Sequence, residues 1–310
     1  MSLFSRMNLM SSMQNEALRY DSTMDSALKQ IHPDEFPALL QEIPDRPKRL
    51  YVRGTLPNND MKWLAIVGSR AISPYGRAAL THLIEGLRGY PVVIVSGLAY
   101  GVDAEAHKAA LKAGLTCVAV PGSGLDWNII SPRANVQLAR DILESGGALL
   151  NEFEPSQPGT DYTFPQRNRI MAGMSHATLL IEAREKSGTL ITARLAVEYN
   201  RELLAVPGSI FSENSKGTHQ FLRLGATAIT SADDILVALG LEKRTGENFA
   251  SMRDDLSDAE KRVLAIIATP LSRDDLLGSL ELDISEANVL LSAMEIKGLI
   301  TEDMGVVRPR

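Results

Sequence analysis

The chain has 310 residues, 45% of them hydrophobic, one cysteine and a net charge of -6 at pH 7. That length fits one large α/β core and a smaller companion domain, and the charge excludes a broadly basic coat. No run of about 18 apolar residues occurs, the start MSLFSRMNLMSSMQNEALRY has no h-region, and a lone Cys117 excludes an intrachain disulfide framework or cysteine-rich metal site. A soluble, cytoplasmic chain without a membrane partner is therefore expected.

A polar, helix-like stretch from Met13 to Ile31 gives way to His32-Pro33, Phe36-Pro37, Ile43-Pro44, Arg46-Pro47 and Leu56-Pro57. So much proline forbids a long helix, and residues 1–61 read as an extension laid over the main domain, with no chemistry of their own.

The main domain is expected over residues 62–240, where 16 basic residues balance 16 acidic ones. It opens on Trp63 to Arg70, an apolar run ending in Gly68, Ser69 and Arg70. An apolar run without alternation suits a parallel strand covered on both faces. Ser73-Pro74 then reads as an N-cap and first helical position, so strand, turn and helix start would offer an anion both backbone N–H groups and the Arg70 guanidinium. Further strands are expected at Val92 to Val95, Thr116 to Val120, Ala148 to Asn151, Ala177 to Ile181, Leu203 to Val206 and Ala226 to Ile229. Their alternation with helical segments means a parallel sheet with helices on both faces, whose ligands sit at the carboxyl ends of the strands.

Those ends carry small residues: Ser96 and Gly97 ahead of Gly101 and Asp103, then Gly122, Ser123 and Gly124, then Asn151-Glu152, then Glu182 with Ser187, Gly188 and Thr189, and finally Pro207-Gly208-Ser209. Small residues on one rim admit close approach by a ligand and form anion-binding concavities. Phe164 to Ser175 adds clustered donors, Arg167, Asn168 and Arg169. Residues two apart on a helix face opposite ways, so one arginine is expected to turn inward to a carboxylate such as Glu152 or Glu182 and the other outward to the ligand. His107 shares a helical face with Asp103, and with no other histidine or cysteine near that rim in sequence it reads as a structural, hydrogen-bonded residue; Cys117 reads as core.

Taken together, Gly68-Ser69-Arg70, Ser96-Gly97 through Asp103 with His107, Gly122 to Asp126, Phe164 to Arg169, Ser187 to Ala193 and Pro207-Gly208 resemble the DNA-processing protein A family, also called DprA or Smf. The resemblance implies an extended Rossmann-like domain that binds and protects single-stranded DNA, helps load the RecA recombinase during natural transformation, and forms a homodimer. It implies that Arg70 and Phe164 to Arg169 carry the DNA contact. Some members place a basic residue just ahead of the Phe-Pro, where this chain has Asp161 and Thr163. A groove with a few arginines, backbone amides and Phe164 as a stacking surface suits a single strand of any sequence. No catalytic residue, cofactor or metal is expected.

The competing reading is a nucleotide phosphoribohydrolase of the lysine-decarboxylase-like type, with a Pro-Gly-Gly-x-Gly-Thr-x-x-Glu signature. Here Gly188-Thr189 is kept, but Ile191 and Thr192 stand where the carboxylates should fall, leaving Glu152, Glu182 or Asp126 as substitutes for the acid that an oxocarbenium-like transition state needs.

After a polar linker from Glu242 to Met252, residues 251–310 carry 7 basic and 12 acidic residues. Helices are expected from Ser257, with a capping box to Glu260, near Ser272 to Asp275, and from Ser285 to Lys297, followed by a hairpin. Three helices and a hairpin resemble a small winged-helix domain. The acids of its last helix argue against phosphate contacts and for a face that packs on protein.

Overall fold

The computed structural model describes residues 27–242, 256–267, 271–280, 282–296, 299–303 and 305–309. The chain divides after Lys243 into two compact units, each with its own apolar core.

The strands of the first unit are β1 (Lys29–Ile31), β2 (Leu50–Gly54), β3 (Lys62–Val67), β4 (Val92–Ser96), β5 (Thr116–Ala119), β6 (Ala148–Asn151), β7 (Ala177–Leu180), β8 (Glu202–Ala205) and β9 (Thr227–Ala228). Its helices are α1 (Ala38–Glu42), α2 (Pro74–Glu85), α3 (Val102–Lys112), α4 (Val136–Glu144), α5 (Thr163–Met174), α6 (Thr189–Glu198), α7 (Lys216–Arg223) and α8 (Ala232–Ala238). One sheet holds the strands in the order β1-β2-β6-β5-β4-β3-β7-β8-β9. Strands β3 to β9 are mutually parallel, as expected.

Both faces of this sheet are covered, which is why its strands show no polar alternation. In β3, Leu64 and Ile66 join Leu80, Leu83 and Ile84 of α2 in one core. Trp63, Ala65 and Val67 turn to the other, where Ile170 and Met171 of α5 and Leu190 of α6 meet them.

The proline-rich segment differs from its expectation. β1 and β2 add two antiparallel strands beyond β6, with Tyr51 opposite Asn151. Residues 50–54 are free of proline and alternate in side: Leu50 and Val52 enter one core, Tyr51 the other. Pro33 and Pro37 start short helices between the two strands, and Pro44 and Pro47 fall in the turn and loop before β2, so they punctuate the pairing without interrupting it. The helix expected from Met13 to Ile31 ends as strand β1, and its earlier part lies outside the described residues.

The second unit contains α9 (Asp258–Ile266), β10 (Leu271–Ser272), α10 (Arg273–Ser279), α11 (Ile284–Ile296), β11 (Ile300–Asp303) and β12 (Val306–Pro309). Ser257 and Glu260 form the expected capping box. β11 and β12 form the hairpin, and β10 pairs with β12, a two-residue strand too short to leave a pattern in the sequence. The expected linker lies almost wholly outside the described residues. No helix among the described residues is long and apolar enough to cross a membrane.

His107 is fully buried in α3; neither ring nitrogen makes a well-aligned hydrogen bond, and the Ser96 backbone is the polar group that still favours its charged form. Burial lowers its pKa to about 4, and burial also pushes the Cys117 thiol up to about 12. Between the ordinary histidine value of about 6.5 and that of the folded chain, the unfolded chain binds a proton that the folded chain does not, so stability falls as pH drops through this window. Urea midpoints at pH 7 and pH 5 check this: the wild type should lose on the order of 2 kcal/mol more than His107→Leu. Equal losses would mean that the ring is not held neutral.

Candidate functional site

The connections after β3 run outward through β4, β5 and β6, and then the chain returns to place β7 on the other side of β3. Loops leaving the carboxyl ends of β3 and β7 therefore diverge and open a crevice, the usual ligand position in such sheets. A cleft of about 470 Å³ lies there. Gly68 to Ala71, Ala99 and Asp103 form one side, Asp161, Phe164, Pro165, Arg167 and Asn168 another, and Arg184 with Lys186 to Thr189 a third.

Directly beside it, the helix start at α2 is already occupied. Ser73 caps α2, its Oγ accepting from the Gly76 N–H at 3.0 Å. The buried Glu182 carboxylate then accepts from the Ser73 N–H at 2.9 Å and the Ser73 hydroxyl at 2.6 Å. Gly76 is required here, because a Cβ would overlap that carboxylate. The phosphate expected at this helix start is thus replaced by the chain's own anion, delivered from the end of β7. Arg70, freed from that corner, is exposed.

The two arginines of α5 also depart from expectation. Arg169 turns inward to Glu152 at 2.6 Å, with Asp45 at 3.7 Å, as one of the pair was expected to do. Arg167 does not turn outward. It is 4% exposed, its Nη1 donates to the carbonyls of Gly97 and Val120, and its Nε donates to Asn168 Oδ1 at 3.1 Å. Asp103 faces it; burial raises the Asp103 pKa, and the Arg167 charge opposes that rise. Burial lowers Arg167 to about 10, which leaves it charged at neutral pH. The buried cation makes up the floor of the cleft, with Arg70 above it.

Much of the rim's small-residue pattern serves this floor and its cover. A Cβ at Gly97 would overlap the Arg167 guanidinium, and one at Gly122 would overlap the Phe164 ring. One at Gly124 would meet the backbone of Glu154 and Pro155. Ser96 Oγ donates to the Ile66 carbonyl at 2.6 Å, and Ser123 Oγ accepts from the Ser131 N–H at 3.2 Å. Of the expected site residues, Gly68, Ser69, Arg70, Phe164, Arg167, Asn168, Ser187, Gly188 and Thr189 line the cleft. Ser96, Gly97, Gly122, Ser123, Gly124 and Arg169 pack behind it: their close approaches are to protein.

What remains open is a cationic mouth beside the partly buried Phe164 ring. The Arg70 guanidinium carbon lies 5.2 Å from the centroid of the Phe164 ring. Across the cleft are the exposed side chains of Arg184 and Lys186, which the rim pattern overlooked although Arg184-x-Lys186 stands immediately before Ser187-Gly188-Thr189. Thr189 at the start of α6 donates its hydroxyl to the Gly68 carbonyl at 3.1 Å, joining the two loops. Such a surface can hold phosphates by charge and a flat group by stacking. The carboxylates considered for hydrolysis are elsewhere: Glu152 is paired with Arg169, Glu182 caps α2, and Asp126 lies 4.0 Å from Arg53.

Residues 28–240 match the family model described as DNA recombination-mediator protein A, and residues 249–305 match the DprA winged helix domain. Protein Smf of Escherichia coli K12 is 44% identical over 201 residues, 65% of this chain and 53% of that protein, so the match spans about half of this relative. DNA processing protein DprA of Streptococcus pneumoniae R6 is 40% identical over 206 residues, 66% of this chain and 72% of that protein. The structure of DNA processing protein A from Streptococcus pneumoniae superposes with a TM-score of 0.63 at 36% identity, covering 72% of this chain and 77% of that one. The Helicobacter pylori protein, described for a unique single-stranded DNA binding mode, gives 0.61 at 29% identity, covering 70% and 98%.

If Glu182 and Ser73 close the α2 start to other anions, their loss acts on stability. Ser73→Ala should cost about 1 kcal/mol and Glu182→Ala roughly 1–3 kcal/mol in urea unfolding. A Glu182→Ala protein as stable as the wild type would contradict this assignment.

Proposed function

The chain belongs to the DNA recombination-mediator protein A family, and from its cleft we propose that it binds single-stranded DNA without regard to sequence. The strand is held there for protection and for loading of the RecA recombinase in transformation or recombination, by a cytoplasmic homodimer. The observation that carries this reading is the Arg70–Phe164 pair at the mouth of the cleft. Together they present a cation to a phosphate and a ring to a base face, features that every sequence shares. The cleft's cations are few and local, which suits one flexible strand better than the continuous backbone of a duplex. The protein's role is binding, not nucleotide hydrolysis: Ile191 and Thr192 line the cleft where a hydrolase would place its acids.

Binding in this reading belongs to the first unit. The second unit's α11 brings Glu286 and Glu295 where a recognition helix would need cations, and Ile284 and Val289 are exposed on it, 70% and 68%. An acidic helix with exposed apolar residues suits a protein partner.

Fluorescence anisotropy with oligothymidylate checks the reading. Arg70→Ala should weaken binding of all single-stranded oligonucleotides alike and reduce the salt slope by about 0.7 for the lost phosphate contact, in the full chain and in one ending at Leu241. Unchanged binding by Arg70→Ala, or duplex competing as well as single strand, would overturn it.

A further inference from the structure

The loop between β8 and α7 stands next to the cleft and is not used by the account above. At its tip Ile210 is 77% exposed and Phe211 91%, the most exposed large apolar side chain among the described residues. Two adjacent apolar side chains held in water are an unfavourable arrangement unless something covers them.

The loop is braced, and the braces lead to the cleft. The Ser212 N–H donates to the Ser209 carbonyl at 3.0 Å and the Phe211 N–H to Ser209 Oγ at 3.3 Å, so the tip is a formed turn. Tyr75 donates its hydroxyl to the Pro207 carbonyl, and the Ala183 N–H donates to the Asn214 carbonyl at 2.7 Å. The Asn214 side chain donates to the Ala71 carbonyl at 3.3 Å and accepts from Arg184 Nε at 3.1 Å. One side chain thereby ties the Phe211 loop both to the turn that carries Arg70 and to a cation of the cleft.

Strand order sets the distance. β8 lies two strands from β3, so the loop that carries Arg70 and the loop that carries Phe211 leave the sheet about 10 Å apart. Arg184 and Lys186 leave the sheet between them, from the end of β7. Glu213, two residues after Phe211, is paired with Lys216 at 2.6 Å, and Glu185, exposed between Arg184 and Lys186, also acts on Lys216. Cations between two aromatic faces repeat the alternation of phosphate and base along a single strand.

We propose that Ile210 and Phe211 form a second base-stacking platform for the strand held at Arg70 and Phe164, with Arg184 and Lys186 contacting the phosphates between them. This rests on the cleft reading and extends it: the track runs along the sheet rim from β3 to β8, and the occupant of the exposed tip is the nucleic acid itself. Continuity with the cleft and the intervening cations favour this occupant over a second copy of the chain.

The test uses the full chain and labelled oligothymidylates of about 4 and about 12 nucleotides, spanning the usual site sizes. Arg70→Ala should weaken both. Phe211→Ala should leave the short oligonucleotide unaffected and weaken the long one about tenfold, the order of one lost stacked base. In Phe211→Trp, addition of the long oligonucleotide should quench emission beyond what Trp63 and Trp127 show in the wild type. If Phe211→Ala binds both lengths like the wild type and the new indole is not quenched, the platform is refuted while the cleft stands. The same binding result with a change in sedimentation assigns the tip to contact between copies and also refutes it. Arg70→Ala binding normally would refute the cleft and the shared track together.

Discussion

A guanidinium buried at the carboxyl edge of the sheet sets the geometry around it. Arg167 has almost no contact with solvent, and its charge is met by two main-chain carbonyls at the ends of β4 and β5, the Asn168 side chain and Asp103. A buried charge is tolerated only when its donors are satisfied, so the loops after β4 and β5 are bound to present those carbonyls. Gly97 has to lack a side chain for the guanidinium to reach them. Asp103, at the start of α3, takes the Ala99 N–H at 3.4 Å and holds that loop against the same cation. The floor of the cleft is therefore a buried ionic layer, and the exposed cations Arg70, Arg184 and Lys186 lie at its mouth.

This division explains which parts of the site were legible in the sequence. The parallel strands β3 to β8 could be read because both faces of each are largely covered, so they appear as mostly apolar runs; the edge strand β9 is exposed and was legible only from its place in the alternation. The antiparallel pair β1 and β2 could not, because three residues of β1 carry no pattern and the surrounding prolines mask the short alternation of Leu50 to Val52. At the site, sequence points to the rim where the cleft lies but not to the direction in which its residues face. A glycine that admits a ligand and a glycine that admits an arginine or a phenylalanine from the next helix look alike, and Gly97 and Gly122 are of the second kind. Arg167 and Arg169 likewise look like two donors of which one is free, whereas both are consumed within the protein.

Glu182 closes the remaining ambiguity at the first turn. By occupying the start of α2, it moves the available positive potential away from that helix and toward Arg70, Arg184, Lys186 and the beginning of α6. The cationic surface that results is a strip across neighbouring strand ends. In the proposed reading, exposed cations beside an aromatic ring discriminate by strand flexibility and charge. The second unit has its own core and its own acid-rich surface, consistent with a separate task.

A crystal structure with a short oligothymidylate bound shows where the strand lies. A phosphate is expected against the Arg70 guanidinium and a base on the Phe164 ring, with Arg167 unmoved beneath them and its bonds to Gly97 and Val120 intact. A strand whose phosphate displaces Glu182 from Ser73, or one that draws Arg167 out of the floor to meet it, would place the DNA elsewhere and overturn the proposed site.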